Sequence, residues 1–509
     1  MKFQRVLLIC IVVIGFLLRF IDVSNNPPGL YSDEASIGYN AYKILTTGKD
    51  EYGIPHPLWF KSFGDYKLPV YIYSVTGAMS ILGKTEFAVR IPSILAGTIT
   101  IVIFYLFVKK LLEFEKDKQL QKKYKYLPLV ATSLLAISSW HIQFSRGGFE
   151  INMGTLFFLL GCYFYIFFLQ KKSQKNILLS IFFFIISIYT YHVFRVLVPL
   201  TFLFIAIHQK IYKNPKSWYY VLLTGALLLP IILFSLSPEG SERFRGTSAF
   251  PELGVTNPLQ QWIIYPIDYI RNYLSFYSFD FLFSFGDGIG RHQMPNFGEL
   301  YRWQLPFFIG GLFLLFRQKN SLLKTATFML FFLTPLAGAL AVPSPHALRS
   351  LPLVLPCMII ISIGLVSFIQ SIHKHKTRIA MISVISVIAF YEFFLYLHFY
   401  YIHYPIVNQL DWGSNYKDLV QATSPIKNKY SHIIIDQNLA FAPVYFHFYD
   451  DSIKFTVVPV TWKEPVSWEK GGVLYLRPYY GQDHPEGVIK NIYLNGPTHP
   501  IFAQLWVLK

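Results

Sequence analysis

Apolar runs near 6–21, 87–108, 127–139, 151–169, 177–191, 195–207, 217–236, 305–316, 325–342, 350–370 and 379–399 dominate this chain. The connections between them alternate in character. Every second one is basic: Lys2 and Arg5, then Lys109, Lys110, Lys116, Lys118, Lys122, Lys123 and Lys125, then Lys171, Lys172 and Lys175. The same series continues with Lys210, Lys213 and Lys216, with Arg317, Lys319 and Lys324, and with Lys374, Lys376 and Arg378. A membrane-spanning helix needs about 20 apolar residues, so the shorter runs must extend into flanking aromatic segments. Cytoplasmic connections are the ones that carry lysine and arginine. This alternation predicts about 11 transmembrane helices, a cytoplasmic N-terminus and an extracytoplasmic C-terminus.

Charge makes up only 14% of the chain, whereas soluble proteins carry roughly 25%. The net charge of +17 lies in the inter-run clusters, and no nucleic-acid motif accompanies it, so no nucleic-acid partner is expected. Cys10, Cys162 and Cys357 fall inside apolar runs without metal-ligand spacing, which fits packing and argues against disulfides. The opening "MKFQRVLLICIVVIGFLLRFID" has the charge and length of a signal peptide but no small-residue cleavage site, so it reads as a retained first helix. "LPVYIYSVTGAMSILG" (68–83) is short. Counting it as a span would reverse the alternation downstream, so it reads as a juxtamembrane helix at the outer interface.

The composition changes after about residue 400. "SHIIIDQ", "KFTVVPV" and "GGVLYLRPYY" read as strands, with "NYKDLVQA" and "APVYFHFYD" as short helices between them. The expected organisation is a transmembrane domain over 1–400 and a small extracytoplasmic α/β domain over 401–509.

The outer connections differ from the inner ones: isolated acids, arginines and histidines stand among aromatics. "YSDEASIGYNAYKILTTG" (31–48) places Ser32, Asp33 and Glu34 at the start of an amphipathic segment closed by Gly48. Acids at a helix start and glycine at its end are also ordinary capping signals, so a purely structural role is equally open. "FGDYKLP" adds Asp65 and Lys67. "SRGGFE" adds Arg146 and Glu150, four apart, where one helix would place both on one side as an ion pair. "YTYHVFR" adds His192 and Arg195, and "PHALRS" adds His346 and Arg349 at the mouth of a span. In the long outer segment 237–304, Asp287, Arg291 and His292 cluster near glycine-rich turns, as a loop gating acceptor access or as a structural turn. Together these charges fit an anionic substrate held by Lys/Arg beside a carboxylate that takes a proton.

"PPGLYSDEASIGYNAYKIL" with "KLPVYIY", followed by "EFAVRIPSILAGTITIVIFYLFVKKL", resembles bacterial relatives of the dolichyl-phosphate-mannose–protein mannosyltransferases. These are GT-C membrane glycosyltransferases, as is the lipid A aminoarabinose transferase. "SSWHIQFSRGGFEIN", "YTYHVFRVLVPL" and "PHALRSLPLVLP" extend the resemblance over roughly residues 1–370. It implies a GT-C-like polytopic α-helical membrane protein with extracytoplasmic juxtamembrane helices, residing in the plasma (inner) membrane. It also implies a transferase that moves a sugar from a polyprenyl-phosphate-linked donor to an extracytoplasmic acceptor.

In such enzymes the aspartate of the Asp-Glu pair is the base, which maps to Asp33, with Glu34 as the adjacent acid. Lys67 corresponds to the lysine that pairs with the lipid phosphate, although this chain reads Lys-Leu-Pro where the relative has Lys-Pro-Pro. Arg195 and Arg349 are expected to help hold the phosphate. Asp65, Arg146, Glu150, His192, His346, Arg291 and His292 are expected to bind substrate or support the site, Glu150 matching the family's second-loop acid approximately. The resemblance requires no cofactor. No ligand spacing demands a metal, although carboxylates and histidines on this face leave room for a divalent cation. A transporter would show internal repeats and broken helices at matching places, and a non-catalytic scaffold would not need the outer charges.

Overall fold

The computed structural model describes residues 2–115, 117–210, 215–248, 258–319, 321–459, 472–479, 488–495 and 499–508. Helices α1 (Lys2–Phe20) and α2 (Ser32–Thr47) precede a hairpin of β1 (Phe60–Ser62) and β2 (Asp65–Lys67). Then come α3 (Pro69–Leu82), α4 (Glu86–Glu113), α5 (Lys118–Lys123), α6 (Leu127–Ala136), α7 (Ser139–Arg146) and α8 (Glu150–Lys171). The helical series continues with α9 (Gln174–Ile188), α10 (Phe194–His208), α11 (Pro215–Leu236), α12 (Pro238–Thr247) and α13 (Pro258–Ser275). It closes with α14 (Leu305–Arg317), α15 (Leu322–Gly338), α16 (Val354–Ser371), α17 (His375–His398) and the short α18 (Tyr404–Val407). The C-terminal part interleaves α19 (Ser414–Thr423), β3 (His432–Asp436), α20 (Ala442–Tyr449), β4 (Thr456–Val458), β5 (Val473–Pro478), β6 (Val488–Tyr493) and β7 (Ile501–Leu508).

Each apolar run of the sequence falls on a helix. Among the described residues, five helices are long and apolar enough to cross a bilayer, or six if the bent pair α6–α7 is one span. Four further apolar helices, α3, α9, α10 and α15, are shorter, so the count of 11 spans stays an expectation. Almost none of the apolar window of α11, or of that within His375–Val407, is buried within the protein. Helices apolar all round and exposed all round require lipid rather than water as their neighbour. The chain is a multi-pass membrane protein.

The chain divides into two compact units. The first comprises Met1–Ile21, Leu58–Tyr71 and Arg90–Leu397; the second comprises Asp22–Pro57, Ile72–Val89 and His398–Lys509. The acidic helix α2 therefore belongs to the same unit as the C-terminal region.

In the first unit α1 packs on α6 and α7, with Ile11, Ile101, Leu129 and Ala136 forming a buried cluster. The sequence reads 138–150 as a connection, but most of it is the helix α7, bent by 53° from α6. The cause is local. Arg19, fully buried, donates from Nη1 to the carbonyls of Gly15 (2.7 Å) and Ala136 (3.0 Å), satisfying the end of α6. Ser138 then caps a new helix, its Oγ accepting from the His141 amide at 3.3 Å. The break at Gly147 and Gly148 ends α7 at Arg146 and lets α8 begin at Glu150. Arg146 and Glu150 thus lie on two helices, and the expected placement on one helix is corrected: Gly147 adopts extended backbone (φ −92°, ψ 165°), which glycine, a poor helix former, takes readily.

In the second unit the strands form one sheet in the order β4-β3-β5-β7-β6. β3 runs parallel to β4 and β5, while β7 is antiparallel to both β5 and β6. Ile433, Ile434 and Ile435 of β3 are buried, the unbroken apolar pattern of a central parallel strand. Asp436 ends that strand, fully buried, accepting from the Tyr475 hydroxyl at 2.7 Å and the Asn438 amide at 2.8 Å. Residues 460–471 and 480–487, which include the ends of two strand-like sequence stretches, lie outside the described residues.

Candidate functional site

The acidic pair begins α2. Tyr31 is the N-cap, so Asp33 is the second helical residue and Glu34 the third. Glu34 is fully buried and accepts from the Tyr31 amide at 3.2 Å, so it performs the capping role its position allowed. Asp33 stays at the half-buried edge of the same turn. The helix ends on Gly48, whose φ of 69° lies in the left-handed region.

Aromatic contacts hold this helix within the second unit. Tyr31 meets Trp412 edge-on at 5.6 Å, and Tyr39 stacks on His447 at 4.9 Å. Tyr445 donates to the Leu30 carbonyl at 2.8 Å, and Asn26 to the Tyr400 carbonyl at 2.8 Å. At Gly38 a Cβ would stand 2.5 Å from the Phe448 ring and 2.9 Å from Val89, so α2 approaches its neighbours as closely as a residue without a side chain permits. Asn40 ties the following loop back to the helix, accepting from the Glu51 amide (3.1 Å) and donating to its carboxylate (2.9 Å). The placement of α2, which carries Asp33, thus depends on the C-terminal segments of its own unit.

In the first unit Lys67 sits on the β1–β2 hairpin, 7% exposed. Phe63 and Gly64 both have positive φ, 52° and 75°, which is what a two-residue turn between right-twisted strands requires. Asp65 opens β2 opposite Ser62, and its Oδ1 accepts from the Tyr66 amide at 2.7 Å. Next along the strand, the Tyr66 carbonyl bonds His192 Nε2 at 2.9 Å, joining the hairpin to the segment after α9. Phe234 is a common surface for this cluster: it stacks on Trp59 at 4.2 Å and meets Tyr66 edge-on at 5.4 Å. The Arg195 guanidinium lies 5.9 Å from the same ring and donates to Ser235 Oγ at 3.3 Å. The structure therefore gathers Asp65, Lys67, His192 and Arg195.

A second group forms where α7, the 285–300 loop and the 343–350 segment converge. Trp140 of α7 donates to the Ala347 carbonyl (3.2 Å), and Gln143 to the Arg291 carbonyl (2.8 Å). Phe144 packs its ring 5.2 Å from that of His292. Arg146, fully buried, donates to the Leu18 carbonyl at 2.9 Å, and Arg349 donates to the carbonyls of Val342 (3.0 Å) and Pro343 (3.2 Å).

Asp287 ties the group together. Its Oδ2 meets His292 Nδ1 at 2.6 Å and the Ala347 amide at 2.7 Å, and His346 Nδ1 lies 4.0 Å away. Burial works against ionisation of Asp287, but His292 and the amides of Ala347 and Ile289 outweigh it and hold the carboxyl below its ordinary pKa. Glu299, fully buried nearby, is raised well above its ordinary pKa by burial, with the Asp287 charge adding to the shift. Asp287, His292 and His346 are the group that could hold a metal ion among the described residues.

Residues 66–234 match a protein-family model described as dolichyl-phosphate-mannose-protein mannosyltransferase. The structure of ArnT from Cupriavidus metallidurans bound to undecaprenyl phosphate is similar, with a TM-score of 0.55 and 10% identity, over 98% of this chain and 97% of that one. The fold is GT-C. The oligosaccharyltransferase AglB from Archaeoglobus fulgidus, in complex with an inhibitory peptide and a dolichol-phosphate, aligns at a TM-score of 0.51 and 13% identity. That alignment takes in 92% of this chain and 61% of AglB, so the chain spans about three-fifths of the archaeal protein. The comparison with curated proteins gives no match. The resemblance to GT-C mannosyltransferases read from the sequence stands. Within the GT-C fold, the matched stretch contains Lys67, Arg146, Glu150, His192 and Arg195; Asp33 and Glu34 precede it, and Arg291, His292, His346 and Arg349 follow.

Two residues central to this geometry were not among the predicted site residues. Arg19 reads as the basic flank of an apolar run, and nothing local marks it as the residue that ends α6. Asp287 stood out in sequence only as a neighbour of Arg291 and His292. Its link to His346 crosses 59 residues, which no periodicity could reveal.

Proposed function

We propose that this protein is a membrane glycosyltransferase that moves a sugar from a polyprenyl-phosphate-linked donor to an extracytoplasmic acceptor, a protein hydroxyl, a lipid or a glycan. The observation that carries the reading is the Lys67 hairpin. A buried lysine, with His192 on the adjoining carbonyl and Arg195 against the shared Phe234 ring, lies inside the stretch that matches the mannosyltransferase family. Cationic side chains on a hairpin fixed by aromatic packing suit a phosphate whose charge grows during the reaction.

In this reading Asp33 accepts the acceptor's hydroxyl proton. The acceptor oxygen bonds the anomeric carbon as the bond to the phosphate oxygen breaks, with inversion, and polyprenyl phosphate leaves with the electron pair. Lys67, Arg195 and Arg349 hold that phosphate. Glu34, the adjacent acid, supports the geometry of the turn that carries Asp33 through the helix cap. The lipid tail of the donor lies among apolar spans in the plasma (inner) membrane, with the catalytic residues on the extracytoplasmic side.

The test uses the full-length protein in detergent with sugar-loaded polyprenyl phosphate, and undecaprenyl phosphate as the binding probe. Asp33→Asn is expected to lower turnover by about 10²-fold or more with lipid-phosphate binding intact. Lys67→Ala is expected to weaken that binding. Near-normal turnover of the first variant would remove Asp33 from the chemistry, and unchanged affinity of the second would remove Lys67 from the phosphate.

A further inference from the structure

We infer that Asp287, His292 and His346 form a binding site for a divalent transition-metal ion of the zinc type, which clasps the 285–293 loop to the 343–350 segment. One ligand atom from each residue lies within 4.8 Å of the other two. The donors are two imidazole nitrogens and one carboxylate oxygen. Imidazole favours zinc and its neighbours, whereas magnesium and calcium prefer all-oxygen shells. Three protein ligands leave a fourth position to water or to a substrate oxygen.

The surroundings suit an ion. The Asp287 side chain is fully buried and that of His292 is 2% exposed, while His346 at 11% forms the accessible edge. Ile289 and Ala347 donate their amides to the two Asp287 oxygens at 3.0 and 2.7 Å, which fixes the carboxylate in place before any ligand arrives. The Phe144 and Phe149 rings, 5.2 and 6.2 Å from that of His292, fix that imidazole. The His292 and His346 rings stand 4.7 Å apart, inclined at 52°, so both can turn a nitrogen toward one point. Ligands about 2.1 Å from zinc lie roughly 3.4 Å from one another in a tetrahedron. His292 must therefore retreat from Asp287 by about 0.8 Å, and the widest separation, within 4.8 Å, must close by up to about 1.4 Å as His346 advances. The proton shared by His292 Nδ1 and Asp287 is the one lost if that nitrogen binds the metal.

Such a clasp joins the loop carrying Arg291 to the segment carrying Arg349. It is independent of the assignment of Asp33 and Lys67 and is tested without any turnover assay. Full-length protein in detergent is stripped with a chelator, exchanged into zinc or cobalt, and freed of unbound ion. Wild type is expected to retain about one metal per chain and, with cobalt, to show the visible absorption of a four-coordinate site. His292→Gln and His346→Gln should each retain at least tenfold less. Adding chelator should lower the melting temperature of the loaded wild type but leave that of His346→Gln unchanged. If stripped wild type takes up no metal, Asp287 and His292 are a metal-free ion-pair clasp and the proposal fails. It fails equally if His346→Gln, melting like chelated wild type, retains as much metal as wild type does.

Discussion

Replacing Gly38 by alanine sets two opposing effects against each other on the helix that carries Asp33. Alanine is the better helix former, by about 1 kcal/mol in a helix interior. Against this, the added Cβ would meet Phe448 Cε2 at 2.5 Å, Phe448 Cδ2 at 2.9 Å and Val89 Cγ2 at 2.9 Å. Real Cβ atoms do not make such contacts, so α2, α20 or the ring must move. Phe448 is 3% exposed and cannot swing into solvent. Overpacking of this kind costs about 1–3 kcal/mol, and a rigid buried ring puts Gly38→Ala at the upper end. The net expectation is a loss of about 1–2 kcal/mol from the unit containing α2.

A shift of α2 also moves Asp33, five residues toward the helix start. With Asp33 in its proposed role as the base, displacement by about an ångström lowers turnover by up to about 10²-fold. Thermal unfolding of the full-length protein and sugar transfer by the same preparation are the two readouts. Phe448→Leu removes the conflicting ring atoms, so Gly38→Ala should cost less in that background, with a coupling of about 0.5–3 kcal/mol. If Gly38→Ala melts at or above wild type and transfers sugar at the normal rate, α2 and α20 have slack. The placement of α2 by tight packing on the C-terminal segments would then be refuted.

Arg19→Leu should destabilise the α1–α6–α7 junction by about 3 kcal/mol or more, because the Ala136 carbonyl and His141 Nδ1 lose a charged donor without gaining another; an unfolding midpoint equal to wild type would contradict this. Asp450 is pulled down to a pKa of about 2 because hydrogen bonds from Lys427, Ser424 and Ser452 outweigh its burial. A depressed carboxylate contributes stability above its ordinary pKa and loses it on acidification, so wild type should weaken between about pH 4 and pH 2 relative to Asp450→Asn. Melting curves across that range check the sign, and parallel curves for the two proteins would be the contrary result.

The helices were legible because lipid selects on composition: every apolar run lies on a helix, and basic flanks mark the connections. Where helices stop was not. The end of α6 depends on Arg19 reaching two carbonyls 116 and 117 residues away, and the start of α7 on a Ser138 that reads as a turn residue. The β1–β2 hairpin escaped notice because its turn places Phe63, a bulky residue, at positive φ. Strands β6 and β7 follow short polar stretches, and what makes them strands is β5, whose partner β7 also pairs with β6.

The site divides along the same line. Charged residues among aromatics can be picked out from a sequence, and Asp33, Lys67, Arg195, His346 and Arg349 were. Several of the groups that hold charged residues here are backbone atoms, which no residue letter encodes. His192 binds the Tyr66 carbonyl, Arg146 the Leu18 carbonyl, Arg349 the Val342 and Pro343 carbonyls, and Asp287 the Ala347 amide. A sequence can therefore pick out candidate side chains while leaving their aim open. Aim is a property of the fold, and here it is set at helix ends and hairpins, where backbone groups lack partners of their own.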